Sequence, residues 1–61
     1  MKYSELESKL KKIGCYFTGL YQRGHPLWYS PKTGMVFQMS HHKSHEVATK
    51  TLNKIIKASG L

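Results

Sequence analysis

The chain has 61 residues, with ten lysines and arginines against three carboxylates, and its formal net charge is +7. A chain of this length forms one domain and buries only about 60% of its unfolded surface, which excludes large pockets and two-domain clefts. The single cysteine, Cys15, has no partner for an internal disulfide, and no apolar run is typical of a membrane span or a secretory signal. We expect a soluble, cytoplasmic protein with one domain over residues 1–61, and the basic excess indicates a polyanionic partner such as nucleic acid.

The three carboxylates are unevenly placed along the chain. Glu5 and Glu7 lie near the start and Glu46 lies late, so the 38 residues from 8 to 45 contain six basic residues and no carboxylate. The two neighbouring carboxylates that glycosidases and aspartic proteases need are therefore not expected. An anion is least repelled by this central stretch.

The first predicted element is a helix over residues 4–13. The spacing of Ser4 and Glu7 matches a capping box, which predicts that the helix begins there. Gly14 is suited to the left-handed conformation that ends a helix. The apolar residues between these signals form one stripe at helical spacing: Leu6, Leu10 and Ile13.

Three strands are predicted after this helix. Aromatic and β-favouring residues with a period near two indicate a strand over 15–21, and alternation indicates a second over 25–30. A turn sequence containing proline and glycine then closes a hairpin onto a third strand over 35–39. The short connections predict an antiparallel meander.

A second amphipathic helix is predicted at the end of the chain. The polar, histidine-rich segment 40–47 is predicted to be a loop, and the helix follows over 48–59, with Gly60 as its stop signal. The order helix, strand, strand, strand, helix predicts an α+β fold, a two-layer sandwich with both helices on one face of the sheet. The opposite face is then open.

His25 is the strongest candidate for chemistry. Gly24 before it allows a phosphate to come close, Arg23 adds positive charge, and an imidazole both takes and gives a proton near neutral pH. RNA carries its own nucleophile, the 2′-hydroxyl, so its cleavage needs a base, a proton for the leaving oxygen and positive charge around the phosphorane. The residues alone leave two interpretations open, an acid/base role and simple phosphate contact.

The cluster of His41, His42 and His45 raises the question of a metal site. Zinc prefers four tetrahedral ligands, whereas the only cysteine lies 26 residues before His41 and the only carboxylate nearby is Glu46. Because this spacing matches no familiar zinc module, we expect no metal and no cofactor. Protonation of these histidines below pH ~6.5 would add positive potential.

Two further sets of residues have both a structural and a binding interpretation. A basic ridge on the second helix, at Lys50, Lys54 and Lys57, is either its solvated side or a phosphate-binding surface. The aromatic residues either pack in the core or stack bases on the open sheet face, and the alternation from Leu27 to Tyr29 requires that one large ring faces away from the helices. These aromatic residues are Tyr16, Phe17, Tyr21, Trp28, Tyr29 and Phe37.

An ordered set of short segments spans almost the whole chain: Tyr3-Ser4-Glu5-Leu6, Ile13-Gly14-Cys15, Gly24-His25, Trp28-Tyr29, Ser40-His41-His42, Thr51-Leu52 and Gly60-Leu61. Together they resemble the HicA toxins of bacterial toxin–antitoxin systems. The resemblance implies a fold like that of double-stranded-RNA-binding domains and a ribonuclease that cleaves mRNA and arrests translation and growth. It also implies inhibition by a partner antitoxin, HicB.

The resemblance also assigns individual residues. The catalytic histidine of the family falls on His25, and a second family histidine falls on His42, although Ser40 stands where proline is usual and His41 adjoins it. Lys50 replaces the glycine that commonly precedes the Thr-Leu pair of the second helix. Neither departure touches His25.

We therefore expect an endoribonuclease toxin that is a monomer alone and a hetero-oligomer with a HicB-type antitoxin, with mRNA as substrate and no membrane contact. His25 is the expected acid/base. The alternative is a noncatalytic RNA-binding module of the same shape that reads A-form geometry, and a helix-turn-helix DNA-binding domain is disfavoured because no short turn joins the two helices. The expected phosphate-binding groups are Arg23, Gly24, His42, Lys43, Lys50 and Lys54.

Overall fold

The structure, a computed structural model, describes all 61 residues. Its three strands form one antiparallel sheet in the order β1-β2-β3. The predicted α+β sandwich is confirmed, and each predicted boundary lies within one residue of the observed one. Neither helix has the length and apolar character needed to cross a membrane. The elements are α1 (Tyr3–Lys12), β1 (Tyr16–Gln22), β2 (His25–Ser30), β3 (Met35–Gln38) and α2 (Thr49–Ser59).

The core lies between the helices and one face of the sheet. In the central strand β2, Trp28 is buried and faces the helices, whereas Leu27 and Tyr29 are half-buried on the open face, as the alternation predicts. Cys15 is buried as a small apolar residue. The core cluster contains Leu6, Leu10, Cys15, Trp28, Phe37, Met39, Val47 and Ile55.

The start of α1 differs from the prediction. Lys2 is the N-cap residue and no side chain caps the helix, so the capping box predicted at Ser4 is wrong. Instead, the backbone N–H groups of Tyr3 and Ser4 donate to the carbonyls of His45 and Lys43, both at 3.0 Å. These carbonyls satisfy N–H groups that a helix start leaves without partners. The histidine loop, residues 40–47, is thereby tied to α1.

A second set of bonds ties the end of the histidine loop to the start of the chain. The N-terminal ammonium of Met1 donates to the Glu46 carboxylate at 2.9 Å, and the Val47 N–H donates to the Met1 carbonyl at 2.9 Å. The ammonium lowers the pKa of Glu46 through this hydrogen bond, and the same bond raises the pKa of the ammonium. The second half of the loop, from Lys43 to Val47, is therefore hydrogen-bonded to the first residues of the chain.

At the other end of the sandwich, side chains from the end of β2 and from the β2–β3 turn bind the end of α2. They donate to carbonyls at the end of α2, which the helix itself leaves without donors. Gly60 follows α2 with a φ of 78°, the left-handed conformation that its sequence position predicts. The bonds run from Ser30 Oγ to Ser59 (2.7 Å), from Lys32 Nζ to Gly60 (3.0 Å) and from Thr33 Oγ1 to Ala58.

These bonds give both helices the same direction relative to β2. The end of α2 is fixed at Ser30, and its 11 residues extend about 16 Å back toward His25. The end of α1 lies beside the same turn, because a Cβ on Gly14 would be 3.3 Å from Pro31 Cγ. Both helices therefore begin at the opposite edge of the molecule, which we call the His25 end.

The contrast between a buried and an exposed leucine tests this core. Leu10 is fully buried and Leu20 is 65% exposed. We expect Leu10→Ala to lower the free energy of unfolding by about 2–5 kcal/mol, because it leaves a cavity. Leu20→Ala, the matched control, should change it by less than about 0.5 kcal/mol. Urea denaturation followed by circular dichroism measures both values, and equal losses would contradict the core described here.

Candidate functional site

A tight turn presents Arg23 and Gly24 at the His25 end. Gln22 pairs with His25, so the β1–β2 turn has two central residues, and their φ angles are 52° for Arg23 and 79° for Gly24. Positive φ at both central positions is the pattern of a type I′ turn. Glycine adopts this conformation freely, whereas for arginine it costs about 1–2 kcal/mol. The Arg23 side chain thus projects from the tip of a well-defined hairpin.

His25 is the first residue of β2 and is exposed. Its side chain lies on the open face of the sheet, because it alternates with Pro26, which is buried on the helix-facing side. The imidazole makes no hydrogen bond within the chain. Beside it, Gln38 Nε2 donates to Gln22 Oε1 at 2.9 Å and joins the two outer strands. Both ring nitrogens of His25 can therefore contact a ligand.

The histidine loop begins next to His25. The N–H of Met39 donates to the Pro26 carbonyl at 2.9 Å, which continues the β2–β3 pairing beyond the last residue of β3. The next pair in this register is Ser40 with His25. The structure therefore brings the loop that carries His42 to the predicted catalytic residue.

The three loop histidines stack on one another. The ring centroids of His41 and His42 are 4.2 Å apart, and those of His42 and His45 are 4.9 Å apart with an interplanar angle of 15°. Stacked rings do not direct their nitrogens at a common point, and no group of three or more His, Cys, Asp or Glu side chains is arranged to hold a metal ion. The arrangement instead concentrates imidazoles that become cationic when protonated.

One carboxylate lies among these cationic groups. The Glu7 carboxylate is 3.2 Å from Lys11 Nζ and 3.5 Å from Lys43 Nζ. Residues 8–45 contain no carboxylate, but α1 carries Glu7 to the histidine loop. The Lys43 side chain is 64% exposed, and its ammonium has three donors, so it can contact a phosphate while it remains beside Glu7.

The basic ridge of α2 runs away from His25. Lys50 lies in the first turn, at the His25 end, and Lys57 lies in the last turn. Between them, Lys54 lines a groove of about 380 Å³ against Phe37 and Gln38 of β3. All three lysines are exposed. The ridge thus contributes Lys50 to the site directly and Lys54 at its margin.

A β-bulge in β1 creates an aromatic pair that the sequence did not reveal. Phe17 pairs with Trp28 and Tyr21 pairs with Pro26, so four steps of β1 lie against two steps of β2. Gly19, with a φ of 86°, lies within the bulge. A regular strand would separate Phe17 and Tyr21 by about 13 Å, whereas two steps of β2 span only about 7 Å. Their ring centroids are 5.5 Å apart, edge to face.

This pair forms one wall of a groove of about 200 Å³, which we call the aromatic groove. Pro26 and Trp28, both buried, form its floor. His41 and Lys43 of the histidine loop, together with Glu7, line the opposite side. The groove therefore lies between β1 and the loop, on the helix-facing side of the His25 end.

Comparison with known proteins identifies the family. A family model described as the HicA toxin of bacterial toxin–antitoxin systems matches residues 3–61. The chain belongs to the HicA toxin family. The match covers essentially the whole chain and confirms the resemblance carried by its short segments. No curated protein and no solved structure matches the chain.

The geometry gathers most of the candidate residues of this HicA toxin at one end. The type I′ turn, His25 and the histidine loop adjoin one another, and both helices direct their N-termini to this end. Each N-terminus carries a positive partial charge of roughly half an elementary charge. The candidate residues at this end are Arg23, Gly24, His25, His42, Lys43 and Lys50, with Lys54 one helical turn further along.

The left-handed conformation of Arg23 gives a stability prediction for this HicA toxin. We expect Arg23→Asn to raise the free energy of unfolding by about 0.5–1 kcal/mol, because asparagine tolerates this conformation and Asn-Gly favours a type I′ turn. The melting temperature should rise by roughly 4–8 °C per kcal/mol. Arg23→Lys, which keeps the charge and the strained backbone, is the control and should leave the melting temperature unchanged. A lower melting temperature for Arg23→Asn would refute the turn geometry.

Proposed function

We propose that this HicA toxin is an endoribonuclease that cleaves mRNA, with His25 as the acid/base. One observation carries the proposal: an exposed imidazole without a hydrogen-bond partner in the chain lies beside a turn that presents an arginine and a glycine. The basic side chains at this end of the molecule favour a phosphate there. Membership of a toxin family supports a harmful activity of this kind.

The chemistry that fits these groups uses the nucleophile of the RNA itself. His25 takes the proton of the 2′-hydroxyl, whose oxygen attacks the adjacent phosphorus, and the imidazolium returns that proton to the departing 5′-oxygen. The products are a 2′,3′-cyclic phosphate and a 5′-hydroxyl. A positioned imidazole supplies about 10²- to 10⁴-fold acceleration. Arg23 stabilises the charge of the phosphorane.

The remaining candidate residues bind the RNA backbone. Lys43, Lys50 and Lys54 offer charge to neighbouring phosphates, and His42 offers a ring N–H. Gly24 has no side chain to keep a phosphate from the turn. An mRNA substrate places the activity in the cytoplasm.

A HicB-type antitoxin would inhibit this toxin by covering the His25 end. The net charge of +7 and the shortage of carboxylates indicate that its contact surface is acidic. The toxin would be a monomer when free and part of a hetero-oligomer when inhibited.

One observation favours a second candidate function, a noncatalytic RNA-binding module. No side chain hydrogen-bonds to His25, whereas a catalytic base is often oriented by a third group. In that case the same basic end would bind RNA without cleaving it.

Replacement of His25 separates the two functions. We expect His25→Ala to bind RNA, to lose at least about 100-fold in cleavage rate and to permit growth on induced expression. His45→Ala, which removes a neighbouring exposed imidazole, should still arrest growth and cleave mRNA. Product analysis should find 2′,3′-cyclic phosphate ends. If the wild type and His25→Ala are equally harmless and leave RNA intact, the protein is not this enzyme.

Substitutions of Lys50 and Lys57, at the two ends of the basic ridge of α2, test where the RNA backbone lies. We expect Lys50→Gln to weaken binding of single-stranded RNA and to reduce the slope of log affinity against log salt by about 0.7, the value for one phosphate contact. Lys57→Gln removes the same charge from the far end and should change the slope much less. Titrations of fluorescent RNA into the His25→Ala protein measure both slopes. Equal slopes for the two variants would contradict the proposed path.

A further inference from the structure

The aromatic groove has no role in the chemistry proposed above. We propose that it binds one unpaired base of the RNA, that of a nucleotide adjacent to the scissile phosphate, and that Glu7 selects the base by accepting its N–H groups, with guanine preferred. This inference rests on the proposed ribonuclease function and adds to it a determinant of sequence specificity.

The wall of the groove suits stacking. Phe17 and Tyr21 are 41% and 63% exposed, although they pair with the buried Trp28 and Pro26 on the helix-facing side of the sheet. Their edge-to-face contact, at 5.5 Å between ring centroids, leaves ring surface available to a flat ligand. Unpaired RNA bases are commonly recognised by stacking on such rings. The volume of about 200 Å³ suits a single base better than a base pair.

The position of the groove fits a nucleotide next to the cleaved bond. Pro26, on its floor, follows His25 directly, and successive residues of a strand advance only about 3.3 Å. The two side chains lie on opposite faces of the sheet, so the RNA must pass around the end of the β1–β2 hairpin. Arg23 lies at that end and can hold the phosphate between the two nucleotides, and Gly24 leaves room for the backbone to turn.

The charges of the groove favour a base in its interior and phosphate at its rim. Lys43 offers positive charge and His41 offers a ring N–H, whereas the Glu7 side chain is only 16% exposed and repels a phosphate. Its oxygens are 3.2 Å from Lys11 Nζ and 3.5 Å from Lys43 Nζ, and carboxylate oxygens accept further hydrogen bonds. Guanine presents two adjacent N–H donors that match the two oxygens of a carboxylate. Uracil presents one donor between two carbonyls, which a carboxylate repels.

Fluorescence of a stacked base tests the location. The protein is His25→Ala, which leaves the RNA uncut, and the probe is a single-stranded RNA with 6-methylisoxanthopterin, a fluorescent guanine analogue that keeps both N–H donors, beside the scissile position. We expect the wild-type groove to quench the probe, and Tyr21→Ala to abolish the quenching and to weaken binding roughly ten- to hundredfold. Tyr21→Leu, which keeps an apolar side chain but removes the ring, should behave in the same way.

Tyr16 provides a matched control for Tyr21. It lies on the same strand and is 53% exposed, but it faces the open side of the sheet and pairs with Tyr29 near the far end. We expect Tyr16→Ala to retain both quenching and affinity. If Tyr16→Ala loses them and Tyr21→Ala does not, bases stack on the open sheet face and the inference is wrong.

Glu7→Gln tests the selection of the base. With oligonucleotides that differ only in the base beside the scissile position, we expect the Glu7 protein to bind the guanine form at least fivefold more tightly than the uracil form. Glu7→Gln should reduce this ratio toward one, whereas Glu5→Gln, an exposed change on the same helix, should preserve it. If Glu7→Gln leaves this affinity ratio unchanged, Glu7 does not select the base.

The outcomes distinguish this inference from the proposed function. If the wild type cleaves RNA and His25→Ala does not, but Tyr21→Ala binds RNA as tightly as its parent, the ribonuclease stands and the base site is wrong. The base site is equally wrong if Tyr21→Ala loses only affinity for an antitoxin, because the groove then docks protein. If the wild type neither binds nor cleaves RNA, the proposed function falls and the base site falls with it.

Discussion

Hydrogen bonds at the start of α1 and at the end of α2 determine where the two helices of this small protein lie. Carbonyls of the histidine loop accept the first N–H groups of α1, and side chains of the β2–β3 turn donate to the last carbonyls of α2. A core of eight buried apolar residues gives little further restriction on helix position. Because these bonds fix both helices in the same direction, the two helix N-termini and the histidine loop all lie at the His25 end of the molecule.

Features that depend on local signals were predictable from the sequence. The limits of β2 follow from its alternation, and left-handed glycines end α1 and α2 where the pattern places them. The start of α1 was not predictable, because the acceptors for Tyr3 and Ser4 lie 42 and 39 residues later in the chain and displace the local capping box. The bulge at Gly19 was also missed, since a glycine within a strand pattern indicates a bulge only weakly.

The same distinction applies to the candidate site. Arg23, Gly24 and His25 are neighbours in the chain, so their association could be read directly, and the strand register then adds the histidine loop. The position of Glu7 could not be predicted from the sequence, because only the packing of α1 brings this carboxylate to Lys43. The sequence describes a uniformly basic stretch, whereas the structure contains a cationic rim around one acid. In the proposed function, that local contrast would separate general attraction of RNA from selection of a base.

The ties between α1 and the histidine loop also have a kinetic consequence. The contacts of Tyr3 with His45 and of Met1 with Val47 join residues more than forty positions apart, and contacts of such long separation form late because loop closure is entropically costly. The loop beside His25 therefore takes its shape only when nearly the whole chain is in place. A nascent or partly unfolded chain would carry every proposed catalytic residue and yet lack the assembled surface, so toxicity would be confined to the fully folded protein.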